Sequence, residues 1–141
     1  MILKFFNKNK EKPEGNLESV NVACLLIHAA KIDENYTLEE REIIKRTVEK
    51  LYPDLDNLDK VVTQAEQKEK DSNHIQEFTR DVKSLSTENK IIIVETLWRI
   101  ILSDGKSDIY ENNLMRRLAG LLYLDDKVVG ETKIKILNKK Q

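Results

Sequence analysis

DENYTLEE at residues 33–40 and DGKSDIYE at residues 104–111 are two copies of one pattern. In each copy an Asp is followed seven residues later by a Glu, with an apolar stretch before the Asp and an amphipathic stretch after the Glu. The 71-residue offset continues beyond the copies, since Ile44 corresponds to Met115. A supersecondary unit that occurs twice indicates internal pseudo-symmetry. We therefore predict two related helix-loop-helix halves, with residues 17–52 superposing on residues 88–123.

The spacing of apolar residues around these copies predicts helices throughout the chain. Four Gly and two Pro among 141 residues leave few helix breakers, and no segment alternates apolar and polar residues as a strand would. The fold class we predict is an all-α, pseudo-symmetric bundle of six or seven helices. The fifth helix is apolar on most sides and is expected to be central. The predicted helices cover residues 17–32, 37–52, 56–70, 73–85, 87–103, 108–123 and 125–137.

The apolar stripes of these helices predict the core. Cys24 lies on a stripe and is expected to be a small core residue, and Trp98 and Tyr123 are expected to be core aromatics. Residues 66–71 (EQKEKD) alternate in charge, which is typical of a solvated helix end. The aliphatic core residues that we predict are Ile27, Ile44, Leu51, Val94, Leu97, Ile101, Leu118 and Leu122.

Composition limits the classes of function. The chain has 24 basic and 25 acidic residues, a balance that argues against a nucleic-acid binder. Its single cysteine excludes an internal disulfide and suits a reducing compartment. No apolar run reaches the roughly 18 residues of a membrane span, and the N-terminal run is too short for a secretory signal. We therefore expect a cytoplasmic protein.

A linker rich in Lys, Asn, Pro and Gly separates the first apolar turn from the helices. We divide the chain into an N-terminal arm with its linker, residues 1–16, and a helical domain, residues 17–141. Phe5 and Phe6 of the arm are expected to dock weakly on the body or on a membrane surface. Any membrane contact would then be peripheral, because one short amphipathic turn gives marginal affinity.

The repeated acidic residues Asp33, Glu40, Asp104 and Glu111 form a candidate metal site. These four carboxylates could converge if the two halves pack about a pseudo-twofold axis. Hard oxygen ligands favour Ca²⁺ or Mg²⁺, so a divalent ion is the cofactor that this hypothesis predicts. The pattern differs from an EF-hand, because neither copy contains a twelve-residue ligand loop.

Local structure offers a second interpretation of the same residues. Thr37 to Glu40 and Asp108 to Glu111 both fit the capping box, in which a Ser, Thr or Asp is followed three residues later by a Glu. The two loop Asp residues would then bind backbone amide groups. This interpretation explains every position without an ion, and the two roles are compatible for the loop Asp residues.

Residues 97–106 (LWRIILSDGK) and 110–122 (YENNLMRRLAGLL) carry a family resemblance. They resemble the TerB-like tellurite-resistance family and are similar to the related N-terminal domain of the membrane co-chaperone DjlA. The resemblance covers about residues 17–137. It implies an all-helical, pseudo-symmetric bundle whose clustered acidic residues bind a divalent cation.

Two classes of function stay open. The first is a non-enzymatic module that binds a divalent ion through the repeated acidic loops in metal or envelope stress. The second is an interaction module for an unknown protein partner, in which the acidic motifs only cap helices. An enzyme is not expected, since the chain has no nucleophile motif and no glycine-rich phosphate loop. Of the two histidines, His28 and His74, the first is expected to be a partly buried structural residue.

Overall fold

The computed structural model describes residues 17–31, 36–72, 76–102 and 109–139, with the side chains of all but residues 76 and 109–111. Within this part of the chain it contains helices and no strand, which confirms the all-α prediction. The predicted N-terminal arm, residues 1–16, lies outside the described residues. The helices are α1 (Leu17–Ala30), α2 (Leu38–Leu51), α3 (Leu58–Lys70), α4 (Gln76–Lys83), α5 (Thr87–Ile101), α6 (Ile109–Leu121) and α7 (Asp126–Lys139).

Polar side chains fix where three of these helices begin. Each accepts a hydrogen bond from a backbone N–H that the first turn leaves without a partner in the helix. Pro53 follows two residues after the end of α2, as expected for a residue that cannot continue a helix. The capping residues are Thr37 for α2, Asn57 for α3 and Ser86 for α5.

The core lies around α1, which packs against α2, α3, α4 and α5. The run from Val22 to Ile27 is fully buried. The prediction placed α5 at the centre; α5 is also largely buried, but α1 is enclosed by more neighbours. Small side chains such as Ala23 and Cys24 let helices approach α1 on several sides. All predicted aliphatic core residues are buried except Leu51, which is half-buried.

Trp98 is buried, as predicted, but the prediction for Tyr123 is wrong. The Tyr123 side chain is 74% exposed, and its backbone has φ near 60°. It follows the end of α6 in a Schellman motif, in which the Leu124 N–H donates to the Ala119 carbonyl at 2.9 Å. The left-handed backbone at this position directs the chain away from the helix, so the apolar periodicity of α6 stops before Tyr123.

The ends of α1 and α5 repeat with the offset seen in the sequence. The end of α1, at Ala30, lies 71 residues before the end of α5, at Ile101. Residues 32–35 and 103–108, which follow these two helices, lie outside the described residues. Superposition of the two helix pairs stays a prediction. Buried residues also recur at this offset, as in Val22 and Ile93, Leu26 and Leu97, and Ile27 and Trp98.

The described helices are too short or too polar to cross a membrane.

Candidate functional site

The four predicted metal ligands differ in what the structure shows of them. Glu40 lies in the first turn of α2, and its side chain is described. Asp33 and Asp104 lie outside the described residues, and Glu111 lies in α6 with its side chain outside them. Among the side chains that are described, no three His, Cys, Asp or Glu residues form a group that could hold a metal ion. The convergence of the four carboxylates therefore stays a prediction.

Glu40 confirms the predicted capping box at the start of α2. The Glu40 backbone N–H donates to Oγ1 of Thr37 at 3.0 Å, and the Thr37 N–H donates to Oε1 of Glu40 at 3.0 Å. Only 6% of Glu40 is exposed. The Glu40 carboxylate thus has a structural duty at the helix start that requires no ion. The matching pattern at Asp108 and Glu111 lies outside the described side chains.

Two glutamates of α3 bind the two ends of the first acidic connection, residues 31–37 between α1 and α2. At one end, Lys31 Nζ donates to Oε1 of Glu69 at 2.7 Å. At the other end, the Tyr36 hydroxyl donates to Oε2 of Glu66 at 2.7 Å. Glu66 and Glu69 are three residues apart, so they lie on one face of α3. The connection that carries Asp33 is therefore held to α3 at both of its ends.

Glu69 corrects the prediction for residues 66–71. It is 9% exposed and lies between α1 and α3 rather than at a solvated helix end. His28 Nδ1 is 3.3 Å from Oε2 of Glu69, on the side opposite the Lys31 contact, and His28 is partly buried as predicted. Lys68 also reaches α1, where its ammonium donates to Oδ1 of Asn21 at 2.7 Å. Because the charges alternate along the sequence, the prediction missed that this polar face of α3 packs against α1.

Arg41 extends this polar network across α2 and α3. Its Nε donates to Oε2 of Glu66 at 2.9 Å, and its Nη1 donates to Oδ1 of Asp59 at 3.2 Å. The hydrogen bond from Lys45, together with that from Arg41, lowers the pKa of the Asp59 carboxyl. Burial and the hydrogen bond to Glu66 raise the pKa of Tyr36. The network fixes the start of α2 against α3.

Cys24 has the environment of a core residue, as predicted. Its thiol is fully buried and donates to the Ala65 carbonyl oxygen at 3.4 Å. Burial raises the pKa of this thiol to about 12. Because the thiolate is the reactive form of cysteine, Cys24 is inert at neutral pH.

Comparisons with known proteins identify the family. A family model described as "Tellurite resistance protein TerB" matches residues 19–133, a stretch that includes both acidic segments. Comparison with curated proteins and with solved structures gives no match. The similarity to the N-terminal domain of DjlA stays a prediction. Since the family model covers most of the chain, the protein belongs to the TerB tellurite-resistance family.

Proposed function

We propose that this chain is a non-enzymatic TerB-family module of the cytoplasm that binds a divalent cation through its two acidic connections, as part of a metal or envelope stress response. The observation that supports this most directly is the 71-residue repeat. The end of α1 lies 71 residues before the end of α5, and in the sequence an Asp follows three residues after each of these helix ends. Each Asp also follows a largely buried helix and precedes an amphipathic one. Two acidic segments at equivalent positions of a repeat support an ion site to which both contribute.

The hydrogen bonds of Glu40 indicate that the four carboxylates have different roles. Because Glu40 closes the capping box of α2, we assign the principal ligand role to Asp33 and Asp104. Glu40 and, by the same pattern, Glu111 would set the start of the following helix. Carboxylate oxygens are ligands that Ca²⁺ and Mg²⁺ prefer, so these are the favoured ions. The hydrogen bonds of Lys31 and Tyr36 to α3 would hold the first connection ready for the ion.

Isothermal titration calorimetry tests the proposal. The wild-type chain would be titrated with Ca²⁺, Mg²⁺, Mn²⁺ and Zn²⁺, beside Asp33→Asn and Asp104→Asn. The exposed Asp54 in the α2–α3 connection supplies a control, Asp54→Asn, with the same change of charge. We expect saturable binding of at least one ion, weakened at least tenfold in each loop variant and unchanged in the control. Absence of binding by all four ions, or equal weakening in Asp54→Asn, would overturn the proposal.

The capping box favours a second candidate, an interaction module without a metal. The reciprocal bonds between Thr37 and Glu40 are complete with protein atoms alone. If the loop Asp residues likewise bind backbone amides, the acidic motifs serve the fold, and a surface of the bundle binds a protein partner. A wild-type chain that binds none of the four ions would leave this candidate as the better account.

A further inference from the structure

Two lysines lie beside the exposed ring of Tyr123, which follows α6. The Lys83 ammonium, on the last residue of α4, lies 5.5 Å from the ring centroid. The Lys90 ammonium, near the start of α5, lies 5.7 Å from the same centroid. Tyr123 is 74% exposed, so the two lysines leave most of its surface open. The Tyr123 cluster, Lys83, Lys90 and Tyr123, thus combines an accessible aromatic surface with two positive charges.

Lys90 has an unusual environment for a charged residue. It is only 8% exposed. Within the described part of the chain its ammonium forms no ion pair and no hydrogen bond, and it contacts the Tyr123 ring. An ammonium group has three hydrogen-bond donors, and buried charges are normally paired. The described residues therefore supply Lys90 with no anionic partner.

The carboxylates near the cluster in sequence do not neutralise it. Asp81, two residues before Lys83, accepts a hydrogen bond from α1 at 2.8 Å. Glu88 and Asp125 are exposed, and neither forms an ion pair with Lys83 or Lys90. Both ammonium groups consequently keep their full charge for an anion from outside the chain.

The start of α5 adds positive potential on the same side. The first N–H groups of a helix have no partner within it, and the helix dipole is positive at this end. Ser86 accepts one of these N–H groups, that of Asn89, at 3.1 Å. A helical side chain leans toward the N-terminus of its helix, so the stem of Lys90 leads toward this end of α5.

We infer that the Tyr123 cluster binds a phosphate monoester that carries an aromatic group. Such a phosphate has a charge of about −1.5 to −2 near pH 7, which matches two ammonium groups. It would accept charge-assisted hydrogen bonds from Lys90 and from Lys83, whose flexible stem can turn to the same anion. The aromatic group would stack on the Tyr123 ring. The inference is independent of the acidic connections.

An NMR titration of the full chain tests the inference. The amide resonances of residues 83–90 and of Tyr123 would be followed at constant ionic strength, because added salt screens exposed charges. The probes are phenyl phosphate, benzoate, which has the same ring and one negative charge, and inorganic phosphate, which has no ring. We expect saturable shifts with phenyl phosphate, at an affinity at least tenfold above that of benzoate and several-fold above that of inorganic phosphate.

Two further probes distinguish the sources of this chemistry. Acetyl-phosphotyrosine amide presents an aromatic phosphate monoester as a protein side chain does, and adenosine monophosphate presents one as a nucleotide. The probe that binds more tightly identifies the source.

Substitutions assign the binding to the cluster. Lys90→Met removes the ammonium, keeps a long apolar stem and should weaken phenyl phosphate binding at least tenfold. Lys83→Gln should weaken it several-fold. Tyr123→Leu should reduce the affinity for phenyl phosphate to that for inorganic phosphate. Lys50→Gln, at an exposed lysine of α2, is the control with the same loss of charge and should leave binding unchanged.

Thermal melting followed by circular dichroism separates binding from a purely structural role. Lys90→Met should melt no lower than the wild-type chain, because it removes a buried charge that has no ion-pair partner. If that variant does not fold, Lys83→Gln and Tyr123→Leu still carry the test. Absence of saturable shifts with phenyl phosphate, equal affinity for benzoate, or wild-type affinity in folded Lys90→Met or Lys83→Gln would each overturn the inference.

Discussion

The Tyr36 hydroxyl donates to Oε2 of Glu66 at 2.7 Å and joins the last part of the first acidic connection to α3. One turn further along α3, Glu69 accepts from Lys31 at the beginning of the same connection. The acidic connection is thus bound at both ends to a single helix face. Bonds of this kind restrict a loop before any ligand arrives, which lowers the entropic cost of binding.

Removing the Tyr36 hydroxyl tests this contact. Tyr36→Phe should lower the free energy of unfolding by about 0.5–1.5 kcal/mol, because it deletes one hydrogen bond and keeps the ring. Urea unfolding followed by circular dichroism would measure the change. The exposed Tyr123 supplies the matched control, and Tyr123→Phe should leave stability unchanged. Equal effects of the two substitutions would show that the Tyr36–Glu66 bond adds nothing to the fold.

Truncation of Leu97 tests the core. Leu97 is fully buried in α5, so Leu97→Ala removes buried apolar surface and leaves a cavity. The free energy of unfolding should fall by about 2–5 kcal/mol. Ile134 in α7 is 59% exposed, and Ile134→Ala should change stability little. A thermal midpoint of Leu97→Ala equal to that of the wild-type chain would contradict the packing described for α5.

The left-handed backbone at Tyr123 predicts a difference in stability between two variants at this position. A left-handed backbone costs a residue with a Cβ roughly 1–2 kcal/mol, and glycine is the usual residue at this position of a Schellman motif. Tyr123→Gly should therefore be more stable than Tyr123→Ala by about 1 kcal/mol. Both substitutions remove the ring and its contacts with Lys83 and Lys90, so their difference isolates the backbone. A Tyr123→Ala variant as stable as Tyr123→Gly would be inconsistent with the motif.

Alkaline pH should destabilise the fold. Burial raises the pKa of Cys24 to about 12, and burial with hydrogen bonds to carboxylates raises the pKa values of Tyr36 and Tyr52. Each group holds its proton more tightly in the folded chain. Its stabilising contribution is complete below the pKa of the unfolded chain and is lost as pH rises toward the folded pKa. The free energy of unfolding should thus fall from about pH 9 upward.

Urea unfolding at a series of pH values would measure this decline. In Cys24→Ala and in Tyr52→Phe the fall in stability with pH should be less steep than in the wild-type chain, whatever their stability at pH 7. Tyr123→Phe serves as the control and should follow the wild-type curve. Equal steepness in all four proteins would mean that these buried groups do not govern the alkaline response.

The sequence was sufficient for the features that depend on local physics. Periodicity located every helix within a few residues, and the Thr37–Glu40 spacing identified a capping box that the structure contains. These features need only neighbours along the chain.

Features that depend on tertiary contacts were missed or wrongly assigned. Glu69 looked solvated because its neighbours in sequence alternate in charge, whereas its burial depends on His28 and Lys31 of α1, which are far away in sequence. Tyr123 looked buried because it continues the apolar pattern of α6, whereas a left-handed residue ends that helix.

The most direct test of the central claim is the effect of a divalent ion on the free energy of unfolding. At about a hundredfold excess of ion over its Kd, the wild-type chain should gain about 2.7 kcal/mol. Asp104→Asn should lose that gain and fold normally without ion, and Asp54→Asn should keep the full gain. Glu40→Ala should instead lower the ion-free stability by about 0.5–2 kcal/mol through the lost cap. If millimolar Ca²⁺, Mg²⁺, Mn²⁺ and Zn²⁺ all leave the stability of the wild-type chain unchanged, the acidic connections do not bind divalent ions.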